Sequence, residues 1–230
     1  MKQLSLSPTQ QCEIQEFRCE LGDYELYSGV VMIWDFIESW EPVKPFLSSL
    51  DYKIIDSFPA RIEAATSIFT IAQSIAPPQP HASPTAAESS DSPPFVITVF
   101  VSVMLLFSKL LSVSGKKVNI DDIIQPFLPQ SAPHLQHVPK LFFITARHLA
   151  GPRAPPPRFP EDPDGNYCIA YHMADSRALM RKWAEDITNN LFIPGMTVQE
   201  AIEKSGSHLN KDEENLYYSI YLKKNLVLKK

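Results

Sequence analysis

The residues that could carry covalent chemistry are few, and their spacing does not assemble a catalytic site. The three cysteines are Cys12, Cys19 and Cys168, an odd number with no metal-ligand spacing, which is typical of a reduced cytosolic protein. Cys168 and His172 could share one face of a strand. At about 3.3 Å per residue they would lie about 13 Å apart, beyond the hydrogen-bond reach of about 3 Å. We therefore expect a core cysteine, and we expect no metal and no cofactor.

The other histidines offer no better arrangement. His134 and His137 lie in a proline-containing stretch without a carboxylate at ligand spacing, so we expect them to be solvated. His148 could act as a base only if a nucleophile faced it. The nearest hydroxyl belongs to Thr145, which is predicted to be packed within a strand.

Alternating strands and helices should position these residues. Apolar, β-branched runs predict the strands, and helical spacing of apolar residues predicts the helices. Pro45 is expected to shorten or kink the first helix, and Thr197 with Glu200 forms a capping box for the last one. The pattern predicts an α/β fold with a parallel sheet and helices on both faces. Strands are predicted at 29–36, 51–56, from 95, 141–145, 167–171 and 216–222, and helices at 38–50, 59–75, 120–127, 180–191 and 197–205.

Composition excludes several classes of partner. The net charge of −5 over 230 residues gives no electrostatic reason to bind nucleic acid or an acidic membrane. The apolar run 95–111 contains Lys109 and is shorter than the roughly 20 residues of a spanning helix, so a buried strand that continues into an apolar loop is preferred. The N-terminus has no run like a signal peptide, and a cytoplasmic location is expected. The basic end of the chain is expected to be a solvated terminus.

Two proline-rich stretches divide the chain. Residues 77–94 are predicted to form a mobile surface loop, and residues 151–165 a linker. The linker separates a large part, 24–150, from a small part, 166–230. Residues 1–23 form a short extension that is too short for a recruitment domain.

Residues 138–147, VPKLFFITAR, carry a resemblance to the caspase family. In that family a similar strand, Lys-Pro-Lys-Leu-Phe-Phe-Ile, delivers Gln-Ala-Cys with the nucleophilic cysteine, whereas here Thr145-Ala146-Arg147 follows. Weaker matches are 115–123 and 219–226. The resemblance implies a single caspase-like domain over 1–230. Its expected fold is a six-stranded, mostly parallel sheet with helices on both faces, divided into large-subunit-like and small-subunit-like parts by the linker.

The departures from the family concern its catalytic residues. Counting back without gaps from Gly115 puts Met104 at the position of the catalytic histidine and Leu105 at the following glycine. Arg147 takes the position of the cysteine, and the basic loop that grips the substrate aspartate after the first strand is absent. Arg181 falls on a substrate-binding arginine and is a possible pocket remnant. The resemblance therefore implies a pseudo-caspase without peptidase activity.

What remains for such a chain is binding. The resemblance implies regulation of an active caspase, and so of apoptosis or a related response, by heterodimerisation; a second copy of the chain is the other possible partner. Alternatives are a divergent hydrolase with a relocated nucleophile and a scaffold that binds an unrelated partner through 77–94. Possible cleavage sites in the linker are Asp162 and Asp164. The dimer interface is expected at the terminal strand: Leu216, Tyr217, Tyr218, Ser219, Ile220, Tyr221 and Leu222.

Overall fold

The computed structural model describes most of the chain. The described residues are 23–26, 28–35, 37–49, 52–55, 65–75, 95–106, 109–111, 117, 119–150, 159–160, 166–209, 213–223 and 225–228. The extension up to residue 22, with Cys12 and Cys19, lies outside them, as do the loop 77–94 and most of the linker, including Asp162 and Asp164. The structure therefore does not test the predictions made for those segments.

The described residues form nine strands and five α-helices. The strands are β1 (Asp23–Leu26), β2 (Ser28–Asp35), β3 (Tyr52–Ile55), β4 (Phe95–Leu106), β5 (Lys109–Leu111), β6 (Lys140–Ala150), β7 (Tyr167–Ala174), β8 (Glu214–Ile220) and β9 (Asn225–Leu228). The helices are α1 (Lys44–Ser48), α2 (Ala65–Ser74), α3 (Ile120–Ile124), α4 (Arg177–Leu191) and α5 (Val198–Gly206).

The main sheet is mostly parallel. Its strand order is β3, β2, β4, β6, β7, β8, and β5 pairs with β4 outside this path. β3, β2, β4, β6 and β7 are mutually parallel, whereas β8 is antiparallel to β7 and β5 is antiparallel to β4. The predicted α/β fold with a six-stranded, mostly parallel sheet is therefore confirmed, with β5 as a short addition.

The apolar run that begins at Phe95 is the central strand β4, which lies between β2 and β6. Successive side chains of a strand point to opposite faces, and here Val99 and Val101 join one core layer while Phe100 joins the other. Burial on both faces explains why the run lacks polar residues at alternate positions. The predicted apolar loop is wrong, because β4 continues to Leu106 and β5 then pairs antiparallel to it.

Helices cover both faces of the sheet, as predicted. On one face α2 and α3 contribute Ala72 and Ile123 to a core layer. On the other face α1, α4 and α5 contribute Leu47, Trp183 and Ile202. Among the described residues, no helix combines the length and apolarity that crossing a membrane requires.

Local sequence signals set two of the helix boundaries. Pro45 stands in the first turn of α1, and the helix is short: a 3-10 turn at Glu41–Val43 leads into only five α-helical residues. The capping box before α5 is present, since Thr197 accepts from the N–H of Glu200 and the Glu200 carboxylate accepts from the N–H of Thr197.

Gly29 lies at a close approach of β2 to β4. A Cβ atom at this position would lie 2.2 Å from the carbonyl oxygen of Val96, the register partner of Gly29. Real Cβ atoms do not approach a backbone oxygen so closely, so this point in the sheet requires glycine.

The two ends of the described chain pair with each other. β1 and β9 form a separate parallel ladder, and Val227 of β9 also forms a bridge to Thr197 at the start of α5. Leu226 and Leu228 are buried in the core layer beneath α5. Sequence patterns did not predict this strand. Leu226, Val227 and Leu228 are buried, so the expectation of a solvated C-terminal end is wrong for these three residues.

Candidate functional site

Met104 and Arg147 are direct neighbours in the sheet. The register of β4 on β6 pairs Ser102 with Thr145 and Met104 with Arg147. Both residues lie towards the carboxyl ends of parallel strands, the region where α/β sheets bind ligands. Met104 is half-buried and Arg147 is exposed. Side chains at the two positions that the resemblance assigns to the dyad can therefore contact each other.

The side chains present at these positions cannot perform acyl transfer. A guanidinium stays protonated in proteins and has no lone pair with which to attack a carbonyl, and a methionine thioether is only a weak acceptor. β6 continues as a regular strand through Arg147 to Ala150. The side chain of Leu105 is buried in the core layer of α2 and α3.

An aspartate fixes the turn after β2. The carboxylate of Asp35 accepts hydrogen bonds from the N–H groups of Ser39 at 2.7 Å and Trp40 at 2.9 Å, and from the Ser102 hydroxyl at 2.5 Å. Burial raises the pKa of Asp35, and the three hydrogen bonds oppose that shift. Glu38 has a φ of 54°, in the left-handed region. Asp35 thus holds a tight turn against β4, at the place where the resemblance implies that a basic loop has been lost.

Arg181 lies in α4, and only two residues separate the end of β7 from the start of that helix. Its Nε donates to the carbonyl oxygen of Glu38 at 3.1 Å, and Arg177 forms an ion pair with the Glu38 carboxylate. The two arginines therefore join α4 to the turn after β2. The structure brings Arg181 to the same end of the sheet as Arg147, and a role for Arg181 in a binding pocket stays a prediction.

His148 and Asp175 form a second polar pair at this end of the sheet. His148 Nδ1 lies 3.5 Å from Asp175 Oδ1, and the His148 side chain is 14% exposed. The other ring nitrogen, Nε2, is buried and has no hydrogen-bond partner among the described residues. A carboxylate that orients an imidazole is the usual support of a general base. No hydroxyl or thiol of the described residues hydrogen-bonds to this histidine.

A buried chain of polar side chains crosses three strands. Thr145 Oγ1 lies 3.0 Å from His172 Nδ1, and His172 Nε2 lies 3.0 Å from Glu214 Oε1. Thr145 and His172 are 0% exposed and Glu214 is 4% exposed. The imidazole stacks on Trp183 of α4 at 4.7 Å between ring centroids. The order hydroxyl, imidazole, carboxylate matches a hydrolase triad, but its burial leaves no room for a substrate.

The neutral imidazole satisfies both neighbours. Nε2–H donates to the Glu214 carboxylate, and Nδ1 accepts from the Thr145 hydroxyl. Burial lowers the pKa of His172, and the hydrogen bond and charge of Glu214 oppose that shift. Sequence patterns did not reveal this network, because Glu214 lies outside the strand predicted at 216–222. The sequence also did not predict the register of β6 on β7, which places Thr145 beside His172.

Cys168 is a buried, free thiol, which confirms the prediction of a core cysteine. Burial in apolar surroundings raises its pKa, so the thiol is protonated at neutral pH. His172, on the same strand, directs both ring nitrogens at other residues. A Cys168–His172 dyad is therefore not formed.

β8 is the last strand of the sheet order, as predicted for the terminal strand, although it runs from Glu214 to Ile220 instead of 216–222. Two hydrogen bonds show which residues around β8 form bonded pairs with β7. The N–H of Tyr221 donates to the carbonyl oxygen of Tyr167 at 2.8 Å, and the N–H of Asp175 donates to the carbonyl oxygen of Glu213 at 3.1 Å. Bonded pairs alternate in an antiparallel ladder. The odd-numbered residues therefore bond to β7.

The backbone N–H groups of Leu216, Tyr218 and Ile220 consequently point away from the sheet, and no described strand pairs with that edge. The side chains of these three residues are half-buried against the core layer of α4 and α5. Tyr217 and Tyr221 pack against the opposite layer. The surface of β8 that is open to a partner therefore consists mainly of backbone N–H and carbonyl groups, because its side chains are partly buried in this chain.

The likeness of this chain to known proteins lies in its architecture. No family model matches the sequence, and no curated protein matches it. The structure is similar to the crystal structure of caspase-1 from Spodoptera frugiperda, with a TM-score of 0.57 over 90% of this chain and 92% of that chain. This chain has a caspase-like fold. The sequence identity over that match is 15%, so the likeness concerns the fold. The identity of the dyad positions, the dimer interface and the linker cleavage sites stay predictions.

Proposed function

We propose that this protein is a non-catalytic caspase-fold protein that regulates an active caspase, and so apoptosis or a related response, by pairing with it through β8. The observation that carries the proposal is the pair Met104 and Arg147, which are register partners at the carboxyl ends of β4 and β6. The resemblance assigns the catalytic histidine and cysteine to these two positions. Neither residue present can serve as a nucleophile or a general base.

The described residues offer no substitute for the missing thiol. Cys168 is buried, and the raised pKa of its thiol keeps it protonated. Loss of both groups of a coupled pair removes nearly all of the acceleration, since either loss alone removes most of it.

The edge of β8 supports a binding role. An open strand edge is an aggregation hazard unless it is covered. Glu213 precedes the strand and Lys223 follows it. An antiparallel partner strand with the same order of charges would set acid against base at both ends, and opposite charges across strands are favourable. Such a partner is a caspase with a similar last strand or a second copy of this chain.

The catalytic half of the proposal is tested with purified protein and a fluorogenic aspartyl peptide. We expect no turnover. Turnover that a cysteine alkylator abolishes would contradict the proposal, because it would require a working thiolate. Addition of the chain to an active caspase tests the regulatory half, with a changed turnover rate as the expected result. The sign of that change is not fixed by the fold, because a partner can supply ordering contacts or withhold a competent site.

A second candidate is a divergent hydrolase, and the pair His148–Asp175 favours it. The unengaged Nε2 on a ring oriented by a carboxylate has the form of a general base, and it would have to become accessible to activate water, because it is buried in this structure. If such an activity exists, His148→Gln should abolish it and His134→Gln, on an exposed turn, should leave it unchanged. Equal activity of both variants would remove this candidate. No observation favours the scaffold hypothesis, since residues 77–94 lie outside the described residues.

A further inference from the structure

The network Thr145–His172–Glu214 lies where β8 is held on the sheet. Thr145 and His172 are direct register partners on β6 and β7. Glu214 is the first residue of β8 and pairs with Ala174, so its side chain reaches His172 diagonally across the ladder. One imidazole therefore joins the edge strand to the strand two positions inward.

Both hydrogen bonds of the network form only when the His172 ring is neutral. The neutral ring has one donor and one acceptor, and Glu214 and Thr145 use both. A second ring proton on Nδ1 would turn this acceptor into a donor facing the Thr145 hydroxyl. It would also add a charge to a fully buried ring, next to the stacked face of Trp183. If the added proton went to the Glu214 carboxylate instead, the charge-assisted hydrogen bond that holds β8 would be lost.

We propose that Thr145–His172–Glu214 is a proton-sensitive latch that holds the start of β8 on the sheet and loosens it when the histidine region is acidified. The consequence for partner binding rests on the proposed function, because β8 is the proposed interface. The latch itself is a property of the isolated chain.

Glu214 is the charged group that hydrogen-bonds to the imidazole, and the other described groups that contact the ring are uncharged. From α4 the ring meets Trp183, and from β6 it meets Thr145. On its own strand Cys168 shares its face and carries a protonated thiol. Two charged residues stand further off. Arg147 follows Thr145 by two residues on β6 and is exposed, and Glu203 of α5 meets the hydroxyl of Tyr218 at 3.5 Å.

Hydrogen–deuterium exchange of the isolated chain tests the latch. The measured quantity is the protection of peptides that cover residues 213–222 between pH 8 and pH 5.5, after correction for the intrinsic exchange rate. We expect protection to fall on acidification, by at most tenfold per pH unit, since one proton is bound on opening. His172→Gln should remove this pH dependence, because glutamine keeps a donor and an acceptor but does not titrate.

The matched control is His208→Gln, at an exposed position after α5, which should keep the pH dependence of the native chain. If His172→Gln does not fold, nuclear magnetic resonance titration of the His172 ring in the native chain decides instead. A ring that stays neutral down to pH 5.5 while β8 loosens would overturn the proposal, as would equal protection at both pH values. Failure here leaves pairing with a caspase untouched, since the measurement contains no partner.

Discussion

Placing a cysteine at position 147 and a histidine at position 104 would test directly whether side chains at these two positions lie close enough for an imidazole to lower the pKa of a thiol. Met104 and Arg147 are register partners on adjacent parallel strands, which lie about 4.8 Å apart. An imidazole and a thiol at these positions can therefore come within hydrogen-bond distance. The perturbation is Met104→His with Arg147→Cys, compared with Arg147→Cys alone.

The expected effect follows from the exposure of the two positions. Opposite unit charges about 4 Å apart attract by about 1 kcal/mol in water and by about 4 kcal/mol near a protein surface. Arg147 is exposed and Met104 is half-buried, so the lower part of that range applies. An attraction of about 1.4 kcal/mol between imidazolium and thiolate lowers the thiol pKa by about one unit.

The assay is the pH profile of alkylation of the new thiol by iodoacetamide, with the labelled site identified by peptide mass spectrometry. The midpoint should lie about one pH unit lower in the double variant than in Arg147→Cys alone. The control is Met104→His with Leu149→Cys, because Leu149 is 42% exposed and lies two residues further along β6. Equal midpoints with and without the histidine, or an equal shift in the control, would refute the geometry. Caspase-like peptide turnover is not expected, because the resemblance implies that the primary-pocket arginine is missing, and each absent charge-assisted contact costs a few kcal/mol.

Three further predictions concern the linker, the sheet and the buried histidine. Incubation with an active caspase should cut the chain between its two parts, and an intact band, or cutting that survives Asp162→Ala with Asp164→Ala, would refute the predicted sites. Gly29→Ala should lower the free energy of unfolding by about 1–3 kcal/mol in urea titration, because the new Cβ meets the Val96 carbonyl; an unchanged midpoint would contradict this. The lowered pKa of His172 means that the folded state binds fewer protons, so stability is full above pH of about 6.5 and is lost as pH falls towards the folded pKa, by at most about 1.4 kcal/mol per pH unit. The same slope in His172→Gln would show that another group is responsible.

Local patterns predicted those elements that local physics decides. The β-branched run before Asp35 and the apolar run from Phe95 form strands, because burial on both faces demands unbroken apolar sequence. The Thr197 capping box and the shortened helix around Pro45 also follow from contacts between near neighbours. The caspase-like architecture became predictable through one longer segment, 138–147, that resembles the family.

Features that depend on long-range register were not predictable. The pairing of β1 with β9 joins the two ends of the described chain, and nothing in either four-residue segment indicates the other. The role of Glu214 required the ladder between β7 and β8, because an acidic residue next to a predicted strand is most often solvated. The pairing of Met104 with Arg147 also depends on register, and the assignment of these two positions to the dyad stays a prediction.

The central claim, regulation of an active caspase through β8, is tested most directly at Tyr218. Charged substitutions there would also disrupt the core layer of α4 and α5, so a backbone change is preferable. Tyr218→Pro removes an N–H that points away from the sheet and keeps the ladder to β7, a position that edge strands tolerate for proline. Tyr218→Ala removes the same side chain and keeps the N–H, so it is the matched control.

The measurement is sedimentation of each variant mixed with an active caspase, together with the peptide turnover of that caspase. The native chain and Tyr218→Ala should form a one-to-one complex and change the turnover rate, whereas Tyr218→Pro, shown to be folded by circular dichroism, should do neither. A complex and an effect on turnover that persist in Tyr218→Pro would contradict the account, and so would a native chain that binds no active caspase of the same cell.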